Sequence, residues 1–381
     1  MKNSYDHTKG IFDMKIAIVG GKLQGTEAVY LAKKAGYIST VIDIDDGVMA
    51  SKICDKFVCG DVINEDENVL RALKEADIIL PAMENLDVIK AIYTIAEKNN
   101  ILVAFDLNAY MISSSKLKSD EMFFKNNICA PKYYPLCEAP YIVKPVSESG
   151  SQGVKKFDNE EELKEYIESQ DHIIQEYLEG PSYSIEVIGD GKNYRTYAVT
   201  KIHMDDVFDC CQVTAPTMIT KNEEKELSEV ALKIARTINL KGIMDVEVIH
   251  ARGEFKVLEI DARLPSQTPA VVLKSSGMNL LKELVDIKFY EKFLDEQTNY
   301  GKFAIYENYV MESGELKKEG EHIMTKARPL KLEENILGYE DVIWDYSGGT
   351  DFRGIFINCE ETEEKIKSAS LSLKEELKKL L

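Results

Sequence analysis

Two short apolar segments carry acids at a spacing suited to holding a metal against charged oxygens. Val257 to Pro269 reads VLEIDARLPSQTP. In an extended chain successive side chains alternate, so Glu259, Asp261 and Arg263 project from one face. Met244 to Ile249 reads MDVEVI and puts Glu247 on a second strand, joined to the first by the turn His250-Ala251-Arg252-Gly253. In such a hairpin Glu247 approaches Glu259, and crowded carboxylates repel unless a cation sits between them. Oxygen donors with no His or Cys beside them favour Mg2+, which commonly takes one or two carboxylates and completes its shell with nucleotide phosphates. Alternating charges also mark the wet face of an antiparallel strand. Val257, Leu258 and Ile260 give this strand an apolar face to bury, which favours a magnesium site at Glu247, Glu259 and Asp261.

Three further segments suit phosphate and carboxylate chemistry. Tyr141 to Val154 reads YIVKPVSESGSQGV, a strand that delivers Lys144 into a loop of serines and glycines. Gly150 and Gly153 let backbone approach phosphate oxygens, Ser147, Ser149 and Ser151 add hydroxyl donors, and Lys144 adds charge. The loop is not a P-loop, since no glycine precedes Lys-Ser or Lys-Thr at the required spacing. A helix expected from Lys116 to Asn126 starts with a lysine, a poor position by helix-dipole logic unless an anion is near; Lys118 takes the role if the register slips by two. Past Arg263, the loop Ser266-Gln267-Thr268-Pro269 enters a helix expected over Ala270 to Lys274, and such a helix start binds a carboxylate or acyl phosphate. Arg263 serves there as a cation for developing charge, or is tied to Glu259 or Asp261 as a structural pair.

The elements that position these residues follow from periodicity. From Lys15 the order is strand, glycine turn, helix (Glu27 to Ala35), strand (Ser39 to Ile44), with later strands at Ile78 to Pro81 and Leu102 to Phe105, which implies a parallel sheet. The turn GGKLQG, containing Lys22, departs from the dinucleotide fingerprint; Asp43 falls where a ribose acid would, and a dinucleotide site there is the less favoured reading. Glu84 lies just past a strand end, where open α/β sheets contact ligands. Asn159 to Ser169 reads as an amphipathic helix with Leu163, Tyr166 and Ile167 inward. Ile173 to Gly180, IIQEYLEG, is a strand breaking into a linker able to read a purine edge, and Ser184 to Ile188 is strand-like. The last stretch, Phe289 to Leu381, holds strand-like pieces at Phe303 to Tyr309 and Gly354 to Cys359 and a final helix, with no evident chemistry.

A chain of 381 residues with 44% hydrophobic residues can bury two or three domains. It shows neither a membrane-length apolar run nor a leader pattern, so a cytoplasmic protein is expected. Met1 to Asp13 are expected to form a disordered extension. The seven cysteines show no metal or disulfide spacing, and Cys210-Cys211 read as reduced packing residues. A net charge of -19 argues against nucleic acid and suits cationic small molecules.

Taken in order, Lys116, Lys144 with its glycine loop, Gln175-Glu176-Tyr177-Leu178, Glu247, Glu259 and Asp261 resemble the ATP-grasp superfamily over roughly residues 113–285. That resemblance implies an α/β (α+β ATP-grasp) architecture: an amino-terminal Rossmann-like parallel sheet domain (14–112), a two-part ATP-grasp unit (113–290, lid about 130–190) and a small carboxy-terminal α/β domain (291–381). It implies ATP, two Mg2+ ions (Mn2+ as a substitute), phosphate contacts from Lys116, Lys144, Ser149, Ser151 and Gly153, an adenine hinge at Gln175 to Leu178, and Glu186 near the ribose. Gln175 stands where many members have glutamate, and Pro181 where the ribose acid often lies. The segments GGKLQG, PAMENLD, KGIMDVE and EIDARLPSQTP further resemble the 3-methyl-D-ornithine:L-lysine ligases of pyrrolysine biosynthesis. This closer likeness implies those two amino acids as substrates, a monomer or homodimer, and substrate contacts from Leu23, Gln24, Glu84, His203, Asp205, Arg263, Ser266, Gln267 and Thr268. A D-alanine:D-alanine-type ligase and a non-catalytic ATP-binding regulatory protein are the alternatives.

Overall fold

The computed structural model describes residues 14–146, 153–169, 171–294 and 296–380. The expectations for Met1 to Asp13 and for Ser147, Ser149, Gly150 and Ser151 fall outside these residues. The chain opens with a five-stranded parallel sheet of β1 (Lys15–Val19), β2 (Ile38–Asp43), β3 (Lys56–Cys59), β4 (Ile78–Pro81) and β5 (Leu102–Val103), in the order β3-β2-β1-β4-β5. Helices α1 (Leu23–Lys34), α2 (Glu67–Glu75) and α3 (Leu86–Asn99) cross between its strands, and α4 (Leu107–Ser113) and α5 (Lys116–Lys125) lead out of it. The loop GGKLQG serves this packing: a Cβ on Gly25 would stand 2.0 Å from the Gly20 carbonyl oxygen, so the helix docks on the strand end only through glycine.

Next comes a three-stranded sheet of β6 (Tyr141–Pro145), β7 (Lys155–Phe157) and β8 (His172–Glu176), order β7-β6-β8. The helix expected over 159–169 is a 3-10 turn, Glu160–Leu163, running into the one-turn α6 (Lys164–Ile167). Leu163 is buried as expected, but Ile167 is 42% exposed, because so short a helix cannot turn a third residue inward.

The remaining strands build one sheet. These are β9 (Ser182–Gly189), β10 (Tyr194–Thr196), β11 (Thr200–Met204), β12 (Cys210–Ala215), β13 (Ile243–Ala251), β14 (Glu254–Asp261), β15 (Phe303–Glu312), β16 (Glu315–Lys318), β17 (Lys331–Ile336), β18 (Tyr339–Trp344) and β19 (Phe352–Glu360). They pair in the order β14-β13-β9-β11-β12-β15-β19-β18-β17, with β10 on β9 and β16 on β15. Because β12 pairs with β15, the sheet runs across the boundary expected at 290/291. Helix α7 (Lys221–Thr237) starts in a capping box of Thr220 and Glu223 and buries Leu227, Ala231 and Ile234. Helices α8 (Thr268–Ser276) and α9 (Leu280–Tyr290) are largely buried, and α10 (Glu363–Lys378) closes the chain on Leu373 and Leu377.

The hairpin that carries the acids is tighter than expected. His250 and Ala251 stay in β13, and Arg252 and Gly253 alone turn the chain, both at positive φ (55° and 82°). Glu247 stands opposite Glu259 and Asp245 opposite Asp261, while the register slips by one at Leu258, between the pairs Glu247 with Glu259 and Val248 with Val257. Such a bulge re-aims side chains beside a site.

Candidate active site

A cleft of about 460 Å³ lies between the three-stranded sheet and the acidic hairpin. In the three-stranded sheet Gln175 pairs in register with Ile142 and Lys144 with Ile173, and all four side chains line the cleft. Lys116 enters from the first turn of α5, and Glu176, Tyr177 and Leu178 continue the wall into the following linker. Glu247, Glu259, Asp261 and Arg263 line the opposite side, with Ser266, Gln267 and Thr268 at one end and Glu84 beside Arg263.

Several side chains are already engaged. The Arg263 Nη2 donates to Glu84 Oε1 at 2.9 Å, and its Nε lies 2.6 Å from Asp261 Oδ2 as an ion pair without hydrogen-bond geometry. The expected alternatives for Arg263 therefore merge: it pairs with Asp261 while lining the cleft. Glu176 is bound to Lys256 and accepts from the Lys132 N–H, so its carboxylate holds the linker. Gln175 donates Nε2 to Asp120 Oδ2 at 3.3 Å, and its Oε1 is buried without a partner.

Burial shifts the charges. Lys144 has its pKa lowered by desolvation, against the opposing pull of Glu259 and Asp120. Glu247 is raised to about 8 by burial and by Glu259 opposite, and Asp261 to about 6 by burial despite Arg263. Asp245, missed in the sequence although it lies two residues before Glu247 on the same strand face, is raised by burial and by Glu247; its Oδ1 has no hydrogen-bond partner. In register with Asp245 on β9 is Glu186, expected near the ribose; it is fully buried behind the cleft and not in its lining, with both oxygens unpartnered and a pKa raised to about 7 by burial. A set of acids facing one another with buried oxygens unsatisfied, all of them hard donors, fits a divalent cation and bound ammonium groups.

Other expected residues sit elsewhere. Lys22 is exposed ahead of α1, Leu23 packs on the core, and Gln24 donates to the Leu264 carbonyl at 2.8 Å. Asp43 accepts from the Gly21 and Asp45 N–H groups and so ties the glycine turn to the sheet. Gly153, at φ 72°, lines a second pocket beside the first. His203 pairs with Thr214 Oγ1 at 3.0 Å, and burial takes its pKa down to about 4. Asp205 accepts from the Val207, Asp209 and Gly320 N–H groups. With Asp209, which binds His322, it brackets Glu321 and holds that side chain at the cleft. Glu321 opens a 3-10 helix (Glu321–Lys326) far along the chain, where no spacing signals it. Cys210, expected to be packing only, lines the cleft and donates its Sγ to Gln267 Oε1 at 2.9 Å.

A three-stranded flap over a long antiparallel sheet, with cationic and acidic walls facing across a cleft, defines the ATP-grasp class, and the ATP-grasp domain family matches residues 113–267. The fold is also that of the N5-carboxyaminoimidazole ribonucleotide synthetase of Thermotoga maritima, at a TM-score of 0.70 and 20% identity over 95% of this chain and 98% of that one. The 3-methyl-D-ornithine--L-lysine ligase of Methanosarcina mazei is 39% identical over 81% of this chain and 82% of its own length. Its counterpart in Methanosarcina acetivorans is 40% identical over 81% and 84%. The chain belongs to this ligase family. Among the described residues no helix is long and apolar enough to cross a membrane.

Proposed function

We propose that the chain is an ATP-dependent ligase of pyrrolysine biosynthesis, joining the carboxylate of 3-methyl-D-ornithine to the ε-amine of L-lysine in the cytoplasm. The observation that carries the reading is the polarity of the cleft: Lys116 and Lys144 at one wall for a polyphosphate, and the carboxylates of Asp245, Glu247, Glu259 and Asp261 at the other for a cation and amines. ATP lies along the flap, its phosphates at Lys144 and Lys116 and its base at Gln175 to Leu178. Glu247 and Glu259, with Asp261, would hold Mg2+, and the ion would supply positive charge to offset that of the phosphates.

The substrate carboxylate oxygen takes the γ-phosphoryl group, ADP leaves, and an acyl phosphate results. The lysine ε-amine, having lost one proton to solvent, attacks the acyl carbon; the C–N bond forms, the C–O bond to phosphate breaks with its electron pair going to phosphate, and the departing phosphate takes the excess amine proton. Arg263 and the amino terminus of α8, at Ser266 to Thr268, face the charge that develops on oxygen. Glu84, Asp245 and Glu321, which line the cleft, receive substrate ammonium groups, which suits two diamino acids. No protein nucleophile takes part; catalysis rests on positioning and electrostatics.

The test is ADP release from Mg-ATP with D-ornithine, with and without L-lysine, and mass spectrometry of the product. ADP that needs both amino acids, together with an ornithyl-lysine mass, supports the reading and calls for the methylated acid next. ADP with other acid and amine pairs only would replace the substrates, and no ADP with any pair would leave a nucleotide-binding protein without ligase activity.

A further inference from the structure

Gln267 has φ 66° and ψ -58°, and the Thr268 N–H donates to the Ser266 carbonyl at 2.7 Å. This three-residue turn is the rare hand of the γ-turn, a strained conformation that persists only where its surroundings over-determine it. Three distant parts of the chain do so. Glu27, on α1 of the amino-terminal domain, accepts the Gln267 N–H on Oε2 at 2.6 Å. Cys210, on β12, donates to Gln267 Oε1. Glu321 accepts from Gln267 Nε2 at 3.2 Å. The other Glu27 oxygen is held by the Tyr306 hydroxyl from β15.

Glu27 is only 3% exposed and does not line the cleft, whereas Ser266, Gln267, Thr268 and Glu321 all do. A buried acid in a helix facing apolar residues is costly unless its hydrogen bonds matter, since leucine would pack there without desolvating a carboxyl. Its bond to a strained backbone at the cleft edge is a reason for keeping an acid at that place. We propose that Glu27 is a positioning residue for the ligation reaction, locking the Gln267 turn so that the start of α8 and the Glu321 carboxylate present themselves to the amino acid substrates. This inference rests on the ligase reading above. It also means that Glu27 shapes the amino acid end of the cleft through the backbone of residue 267, without itself touching substrate.

The experiment compares the wild type with Glu27→Gln, Glu27→Leu and Tyr306→Phe in steady-state ligation, separating KM for ATP from kcat and KM for the amino acids, with melting temperature measured alongside. Glutamine keeps an acceptor for the Gln267 N–H and loses the one for Tyr306; leucine loses both. The expected order of loss in kcat/KM for the amino acids is Leu, then Gln, then Tyr306→Phe, with Leu down about tenfold or more and KM for ATP changed by less than about twofold. Loss shared equally by ATP and amino acid parameters, or no loss in any variant that folds, overturns the proposal while the ligase reading stands. If Glu27→Leu does not fold, Glu27→Gln and Tyr306→Phe decide by the same split. Wild-type protein that ligates no pair removes the ligase reading and this inference with it.

Discussion

The flap wall of the cleft and the wall beside α8 respond to burial in opposite senses. At the flap, burial lowers the pKa of Lys144, weakening a positive charge that a polyphosphate would restore. At the other wall burial raises Asp261 to about 6 and Glu247 to about 8, weakening negative charges that cations would restore. The flap also reaches the rest of the molecule through few elements, whereas the second wall is knitted from α1, β12, α8 and the turn at Glu321. On the proposed function the flap end takes the nucleotide, and the other end is a receptacle whose shape depends on distant segments.

The most severe way to break the contrast is to remove the acids of the second wall that face the phosphates. Glu259→Gln and Glu247→Gln are expected to lower kcat by about 10²-fold or more, because the charge between the phosphates is no longer neutralised. Rapid-quench measurement of ADP checks this; either variant turning over within a factor of about three of wild type would exclude a metal role for that residue.

Substituting one residue on each wall sharpens the comparison. Lys144→Ala should raise KM for ATP about tenfold or more with little change in amino acid KM, and Glu321→Gln should do the reverse. Both parameters moving together in each variant would mean the cleft is not divided by charge.

The sequence made one of these walls far more readable than the other. Strand β4 falls where Ile78 to Pro81 predicted it, and Glu247 faces Glu259 as alternation required, because both depend on local period and a short hairpin. Lys116 and Lys144 meet in the cleft because each is fixed by its own short element. Asp245 was equally available, since the period that selected Glu247 puts it on the same face. Glu27, Cys210 and Glu321 were not legible: each is brought in by long-range packing, and a buried acid in the apolar face of α1 has no local pattern. Asp43 and Asp205 misled because a loop acid that accepts backbone N–H groups has the same sequence appearance as one awaiting a ligand.

The smallest expected effect comes from titrating the receptacle alone. Glu27 and Glu186 have ordinary values of 4.5 that burial raises to about 8 and about 7. Between those limits the folded protein binds more protons than the unfolded chain, so this contribution to stability is complete below about pH 4.5 and is lost as pH rises toward 8. Asp341 runs the other way: burial opposes it, but hydrogen bonds from Lys274 and Lys34 win and lower its pKa, so its contribution disappears only in acid. The ligand-free protein should therefore melt at falling temperature from about pH 5 to pH 8, and Glu186→Gln should reduce that slope by removing one titrating group. Mg-ATP with both amino acids should flatten it further, because bound cations stabilise the ionised carboxylates of Glu247 and Asp261, which line the cleft and are raised in the same sense. Calorimetric scans across that range decide the matter: a melting temperature that rises with pH in the ligand-free protein would mean the second wall is already neutralised from within, and the contrast between the two walls would fail.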